Sequence, residues 1–161
     1  MLGRVGEANL AVRTVRNVRA QLAARAAALP AADRAAFSAL ARPLLDSLAR
    51  AEEAVYQVRN QSSQDPLNYP IRLNNKLAAL AGVVASADPR PTRQSYVVFD
   101  TLSRALQQEL DAVRRALGAP LARVNAELAR RGLAPVVPSD AEQAPADRPR
   151  MAADEEETEG A

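Results

Sequence analysis

The side chains that can carry chemistry in this chain are carboxylates, arginines and the amides of one short stretch, because its 161 residues include no His and no Cys. The commonest general base and metal ligand is therefore missing, and so is the thiol. Two pairs of carboxylates lie close in sequence, Glu52-Glu53 and Glu109 with Asp111. General acid–base catalysis needs carboxyls that converge on one pocket, whereas adjacent helical residues point about 100° apart. We therefore interpret both pairs as solvent-facing charges and expect no enzyme activity, no metal and no cofactor.

Basic residues dominate the first 133 positions, and acidic residues dominate the rest. Residues 1–133 carry 19 bases and 11 acids, a net charge of +8, whereas residues 134–161 carry two bases and eight acids, a net charge of −6. Nucleic-acid binding usually combines a basic surface with aromatic stacking platforms, and only five residues here are aromatic. The composition therefore argues against a nucleic-acid partner. A basic helical module that binds an anionic polymer or surface, modulated by the acidic tail, is the alternative that the charge pattern leaves open.

Apolar residues recur at helical spacing in four segments, and no segment alternates as a strand does. Amphipathic segments joined by short loops predict an all-α fold, an antiparallel bundle of about four helices over residues 1–133. Arg19 falls inside the apolar arc of the first segment, so we expect its side chain to snorkel or to pair with a carboxylate of a neighbouring helix. The predicted helices cover residues 4–28, 32–59, 70–86 and 92–131.

Prolines decide several details of these helices. Pro43 and Pro120 each interrupt an apolar stripe, and the sequence leaves open whether they kink or end the helix. After Pro120 the stripe keeps its angular phase, which favours a kinked continuation. Pro70 suits the first turn of the third helix, and Thr92 suits the N-cap of the fourth. The Pro-, Ala- and acid-rich segment 134–161 is predicted to be a disordered tail.

One stretch departs from the Ala-rich composition, residues 60–76 with the sequence NQSSQDPLNYPIRLNNK. It contains no alanine but four of the seven asparagines and the only lysine. On physical grounds its prolines and amides favour a structural corner between two helices, and a binding loop is the alternative. We select it, with the adjacent turn 87–92, as the predicted contact surface. The candidate binding residues are Asn60, Gln64, Asp65, Asn68, Tyr69, Asn74 and Asn75.

Three segments of the chain, QDPLNYPIRLNNKLAAL, SADPRPT and LARVNAELARRGLAPV, are together distinctive. They resemble the carboxy-terminal helical region of bacterial sortilin-like proteins that carry Asp-box (BNR) β-propellers and are labelled glycosyl-hydrolase-like. The resemblance covers about residues 55–137. It implies a non-catalytic accessory domain that packs against a propeller or another subunit. Hydrolase activity is not carried over, because the chain has no S-x-D-x-G-x-x-W Asp-box and no Trp.

The resemblance also bears on location. A propeller protein of this kind is expected to be exported to the periplasm or beyond the cell. The first twenty residues, however, contain no uninterrupted apolar core of the signal-peptide type, so a complete chain is expected to be cytoplasmic. No apolar run approaches the roughly 20 residues of a membrane span.

Overall fold

The computed structural model describes residues 1–59, 69–86 and 91–141, and over these residues it consists of α-helices without strands. The predicted all-α helical fold is confirmed. None of the helices described is both long enough and apolar enough to pass through a membrane. The helices are α1 (Leu2–Ala28), α2 (Ala31–Val55), α3 (Leu73–Ser86), α4 (Arg93–Leu117) and α5 (Ala119–Arg130).

The first two helices form an antiparallel hairpin joined by Leu29 and Pro30. Close to this turn, Phe37 of α2 is buried in the same cluster as residues from the C-terminal half of α1. Far from it, Glu52 near the end of α2 accepts a hydrogen bond from Nε of Arg16 at 2.6 Å. The two helices therefore lie side by side and run in opposite directions.

The last two helices run together, antiparallel to α2. Arg131, just after α5, forms an ion pair with Asp33 at the start of α2 (Nη1–Oδ1 2.8 Å). Near the other end of α2, Ala51 lines a groove together with Ala112 of α4. The start of α2 therefore contacts the end of α5, and the end of α2 contacts α4. Both α4 and α5 run antiparallel to α2, so α5 continues in the direction of α4.

Prolines act differently in the two long helical stretches. The α2 helix continues through Pro43, which is exposed, so this proline does not divide it. At the other break, Gly118 leaves helical geometry (φ −83°, ψ −118°), and Pro120 lies in the first turn of the new helix α5. The buried leucine and valine side chains of α5 lie in the same core cluster as Val113 and Ala116 of α4. This agrees with the apolar stripe, which keeps its angular phase across Pro120.

Two clusters of buried apolar side chains make up the core. The larger one is formed by α1, α2, α4 and α5. The smaller one joins the N-terminal half of α1, the end of α2 and the middle of α4, and it includes Leu77, the one fully buried side chain that α3 contributes. Attachment of α3 to the bundle therefore depends on this second cluster. Its buried members are Ala8, Val12, Val55, Leu77 and Leu106.

The connection from α2 to α3 differs from the prediction. α2 ends at Val55 instead of residue 59, and α3 begins at Leu73, so Pro70 precedes the helix instead of lying in its first turn. The buried Gln57 explains the early end, because its side chain bonds to the backbone of the connection. Its Nε2 donates to Pro70 O at 2.8 Å, and its Oε1 accepts from Arg59 N at 3.2 Å. Such side-chain bonds compete with continued helix.

Residues 133–137 return along the bundle after α5, so the predicted disorder does not begin at residue 134. Gly132 (φ 71°) takes the left-handed conformation that ends many helices, and Leu133 N then donates to Leu128 O at 2.9 Å. This cap turns the chain back over the body. The remainder of the predicted tail, residues 142–161, lies outside the residues that the structure describes.

Candidate interaction surface

The end of α3 at Ser86 and the start of α4 at Arg93 are separated by only six residues of the chain. Thr92 caps this helix as predicted, with Oγ1 accepting from Ser95 N at 3.2 Å. Arg4, in the first turn of α1, reaches Gln107 of α4 at 3.0 Å (Nη1–Oε1). Phe99 and Leu102 of α4 pack against the cluster that contains Ala8 and Val12 of α1, so this part of α4 is anchored on α1.

Large apolar side chains are exposed where α3 ends and α4 begins. Tyr96 and Val97 in the first turns of α4 are 58% and 60% exposed, and Val83 near the end of α3 is 61% exposed. Single exposed apolar residues are ordinary, but a group at one end of a bundle is typical of a surface that contacts another molecule. We call this group the α3–α4 tip; its members are Val83, Tyr96, Val97 and Val98.

The predicted contact residues are only partly described. Tyr69 is half-buried, and its ring lies 6.0 Å from the guanidinium of Arg59. Asn74 is used within the fold, because its Nδ2 donates to Asn9 Oδ1 of α1 at 3.0 Å. Asn75 is exposed. The other four candidates, Asn60, Gln64, Asp65 and Asn68, lie outside the described residues.

The start of α3 also contains two buried polar atoms that lack a hydrogen-bond partner among the described residues. They are Nε of Arg72 and Oδ1 of Asn74. Buried polar groups are nearly always paired, so such exceptions call for an explanation. Both atoms belong to the predicted corner, which therefore has unused hydrogen-bonding capacity next to its structural contacts.

The prediction that Glu52 is a solvent-facing charge is wrong, because only 4% of its side chain is exposed. Its two oxygens accept from Nε of Arg16 at 2.6 Å and from Nη1 of Arg19 at 2.7 Å. The pairing of Arg19 with a neighbouring helix is thus the alternative that the structure adopts. A sequence signal existed: Glu52 lies four residues after Leu48 and three before Val55, on the apolar stripe of α2.

The two arginines stand at one end of an open groove between α1 and α2. Its volume is about 470 Å³, and apolar side chains form most of its lining. Arg16 also stacks over the ring of Tyr56, with Cζ 5.3 Å from the ring centroid. Both arginine side chains are about half exposed, at 53% for Arg16 and 46% for Arg19. The groove therefore joins an apolar floor to a positively charged end.

A second polar arrangement holds the returning segment 133–137. Asn125 of α5 donates from Nδ2 to Val136 O at 2.9 Å and accepts from Val136 N at 2.8 Å. Gln21 of α1 makes the same pair of bonds to Val137, at 2.7 and 3.1 Å. Two side-chain amides thus satisfy the backbone groups of this segment as a neighbouring strand would. Sequence periodicity contains no signal for these contacts, because they join helical side chains to the backbone of a segment outside the helices.

The perturbed carboxylates in the described part belong to surface ion pairs and not to a cleft. The hydrogen bond from Arg131 lowers the pKa of Glu127, and that from Arg114 lowers the pKa of Asp111. Among the described residues, no three His, Cys, Asp or Glu side chains come together as metal ligands would. This part of the chain offers recognition chemistry through apolar, amide and guanidinium groups.

Comparison with known proteins yields no relative, since no protein-family model, no curated protein and no solved structure matches the chain.

Proposed function

We propose that this chain is a non-catalytic helical interaction module that binds a partner protein through the α3–α4 tip and the adjoining corner. The observation that carries this proposal is the exposure of Tyr96, Val97 and Val83 at the end of α3 and the start of α4. A globular chain gains stability by burying such side chains, about 25 cal/mol for each Å² of apolar surface removed from water. A partner that covers the tip supplies that burial.

The composition of this end suits a protein interface. Interfaces have an apolar and aromatic centre within a polar rim, and tyrosine is a frequent anchor. Here Tyr96 and the valines supply the apolar part. The half-buried Tyr69 and the exposed Asn75 of the predicted corner supply polar groups. The α3 helix connects the two parts.

The partner follows from the resemblance stated above, which covers this end of the molecule. The segment QDPLNYPIRLNNKLAAL enters α3, and SADPRPT is the connection between α3 and α4. We propose a sortilin-like Asp-box β-propeller, or another subunit of the same assembly, as the protein that docks here.

The test is direct titration of the purified chain with an Asp-box propeller from the same genome. Replacing both Tyr96→Ser and Val97→Ser is expected to weaken binding by about 2 kcal/mol, roughly 30-fold, as loss of an interface anchor does. Leu40→Ser is the matched control, because Leu40 is an exposed apolar residue of α2, outside the tip. Circular dichroism checks that each variant stays helical.

The two parts of the surface are separable in the same titration. Tyr69→Ala tests the corner alone. Equal affinity of the Tyr96/Val97 variant and the unchanged chain excludes the tip, and the absence of any binding by the unchanged chain excludes the propeller as the partner.

A further inference from the structure

Three arginines form a line on α1. Arg13, Arg16 and Arg19 follow one another at intervals of three residues, so they rise about 9 Å along neighbouring faces of the helix. We call them the arginine ridge. Glu52 is the one carboxylate that bonds to the ridge within the described part of the chain, and Arg13 is exposed with no carboxylate partner there. The ridge therefore keeps two positive charges in excess.

The ridge is ordered before any ligand arrives. Buried Glu52 fixes one nitrogen of Arg16 and one of Arg19, and the ring of Tyr56 supports the Arg16 guanidinium. Each guanidinium has five N–H donors, so most remain available for an anion. Because the side chains of Arg16 and Arg19 are already held, binding an anion there costs less conformational entropy than it would on free arginines.

The returning C-terminal segment runs back along α1 toward the level of Arg13, on the face that carries Gln21 and Arg25. Arg25 donates from Nε to Ala134 O at 2.8 Å, and Gln21, four residues earlier on α1, bonds to Val137. The segment thus runs antiparallel to α1, from its C-terminal end toward Asn17 and then Arg13. Ser139 is still partly buried, and residue 141 is the last that the structure describes.

The residues that follow carry the complementary charge. Residues 142–161 contain seven acids and two bases, and their last eleven residues contain five acids and no base. The first of the acids, Glu142, comes directly after the described part. A segment attached this close to the ridge binds without the translational entropy cost of a separate ligand, so weak ion pairs suffice.

From this direction and this charge we propose that the acidic segment 142–161 binds in cis across Arg13, Arg16 and Arg19. The ridge is then an anion-binding site that the chain's own carboxylates occupy. Any external anion must displace them. The contact is electrostatic and lies at the surface, so it weakens as salt is added.

The experiment uses the full chain with one nitroxide label. Because the sequence has no Cys, Gly160→Cys provides a single attachment point at the end of the acidic segment. Paramagnetic broadening of backbone amide signals then reports which part of the bundle the label approaches. At low ionic strength, we expect the amides near Arg13 and Arg16 to lose most of their intensity, and we expect recovery at high ionic strength. Amides near Arg93, an exposed arginine of α4, serve as the internal control.

Two variants test the charge pairing. Neutralising the segment (Asp154→Asn with Glu155, Glu156, Glu157 and Glu159→Gln) changes no residue of the described part and is expected to abolish the broadening on α1. Arg13→Gln is expected to weaken it, whereas Arg93→Gln leaves it unchanged. Arg16 and Arg19 are not replaced, since they neutralise buried Glu52.

Other patterns overturn the proposal. The ridge is excluded as the site if the amides of α1 are not broadened, or if the amides near Arg93 are broadened equally. It is also excluded if the variant with the neutralised segment shows the same broadening as the unchanged chain. Broadening that also occurs when unlabelled isotope-enriched chain is mixed with labelled chain assigns the contact to a second copy and excludes binding in cis.

Discussion

Asn125 and Val136 are joined by two hydrogen bonds that satisfy both backbone groups of the valine. The amide nitrogen of Asn125 donates to Val136 O at 2.9 Å, and its oxygen accepts from Val136 N at 2.8 Å. The valine side chain is 1% exposed and packs into the main core. The Asn125 side chain therefore allows Val136, in a segment without a strand partner, to be buried beside a helix.

Replacing Asn125→Ala is expected to lower the free energy of unfolding by about 2 kcal/mol, because two backbone groups lose their partners in a dehydrated position. Denaturant titration followed by circular dichroism measures this. The matched control is Asn75→Ala at an exposed position of α3, which should change the free energy of unfolding by less than about 0.5 kcal/mol. Equal effects of the two substitutions would contradict a specific role of Asn125.

Glycine is required at position 132 for its backbone and not for space. Gly132 has φ 71°, and an added Cβ would meet nothing within 4 Å. Gly132→Ala is therefore expected to destabilise the chain by about 1 kcal/mol, the cost of the left-handed conformation. Gly82→Ala is the control, because it too has open space but lies inside α3. There alanine is expected to stabilise the chain by about 0.5–1 kcal/mol. Two changes of the same sign would refute this account of Gly132.

The sequence was informative where a contact depends on helical period alone. Val12, Val15 and Leu22 recur at helical spacing in the segment that forms α1, and all three are buried. The continuation of the helical direction beyond Pro120 followed from the same periodicity.

Features that depend on a side chain meeting distant backbone could not be predicted this way. Gln57 ends α2 through a bond to Pro70, and Gln21 holds Val137 across 116 positions. Neither contact leaves a repeating pattern in the chain. Glu52 was misassigned because its neighbour Glu53 suggested a solvated pair, whereas burial depended on two arginines of another helix. Four of the seven candidate contact residues lie outside the described residues, so that prediction stays a prediction.

The matched pair Glu52→Gln and Glu53→Gln separates the buried from the exposed carboxylate. Glu52→Gln is expected to cost about 2 kcal/mol of unfolding free energy, since charge-assisted hydrogen bonds to two arginines are lost while both arginines remain hydrated. Glu53 is exposed, so its replacement should have little effect. Urea denaturation of both variants measures the difference. An equal loss in the two would show that the buried ion pairs contribute nothing specific.

The pKa of Glu127 gives a prediction for acid stability. The hydrogen bond from Arg131 is the main cause that lowers this pKa below its ordinary value of 4.5, and the charge of Arg130 adds to it. A carboxyl with a lowered folded-state pKa stabilises the fold fully above its unfolded pKa. That contribution is lost as the pH falls below 4.5 through the folded value. Glu127→Gln should therefore show a smaller loss of stability than the unchanged chain over this acid range, in thermal melts recorded at several pH values.

A carboxyl-carbon NMR titration tests the cause of this shift. Arg131→Gln is expected to raise the pKa of Glu127 toward its ordinary value, because the hydrogen bond that favours the carboxylate is removed. Asp111 is the internal control, since its lowered pKa depends first on Arg114, within α4. Its titration should not respond to Arg131→Gln. Because Arg131 also pairs with Asp33 of α2, the same variant weakens the link between α5 and α2. An unchanged Glu127 titration in this variant would remove Arg131 as the source of the shift.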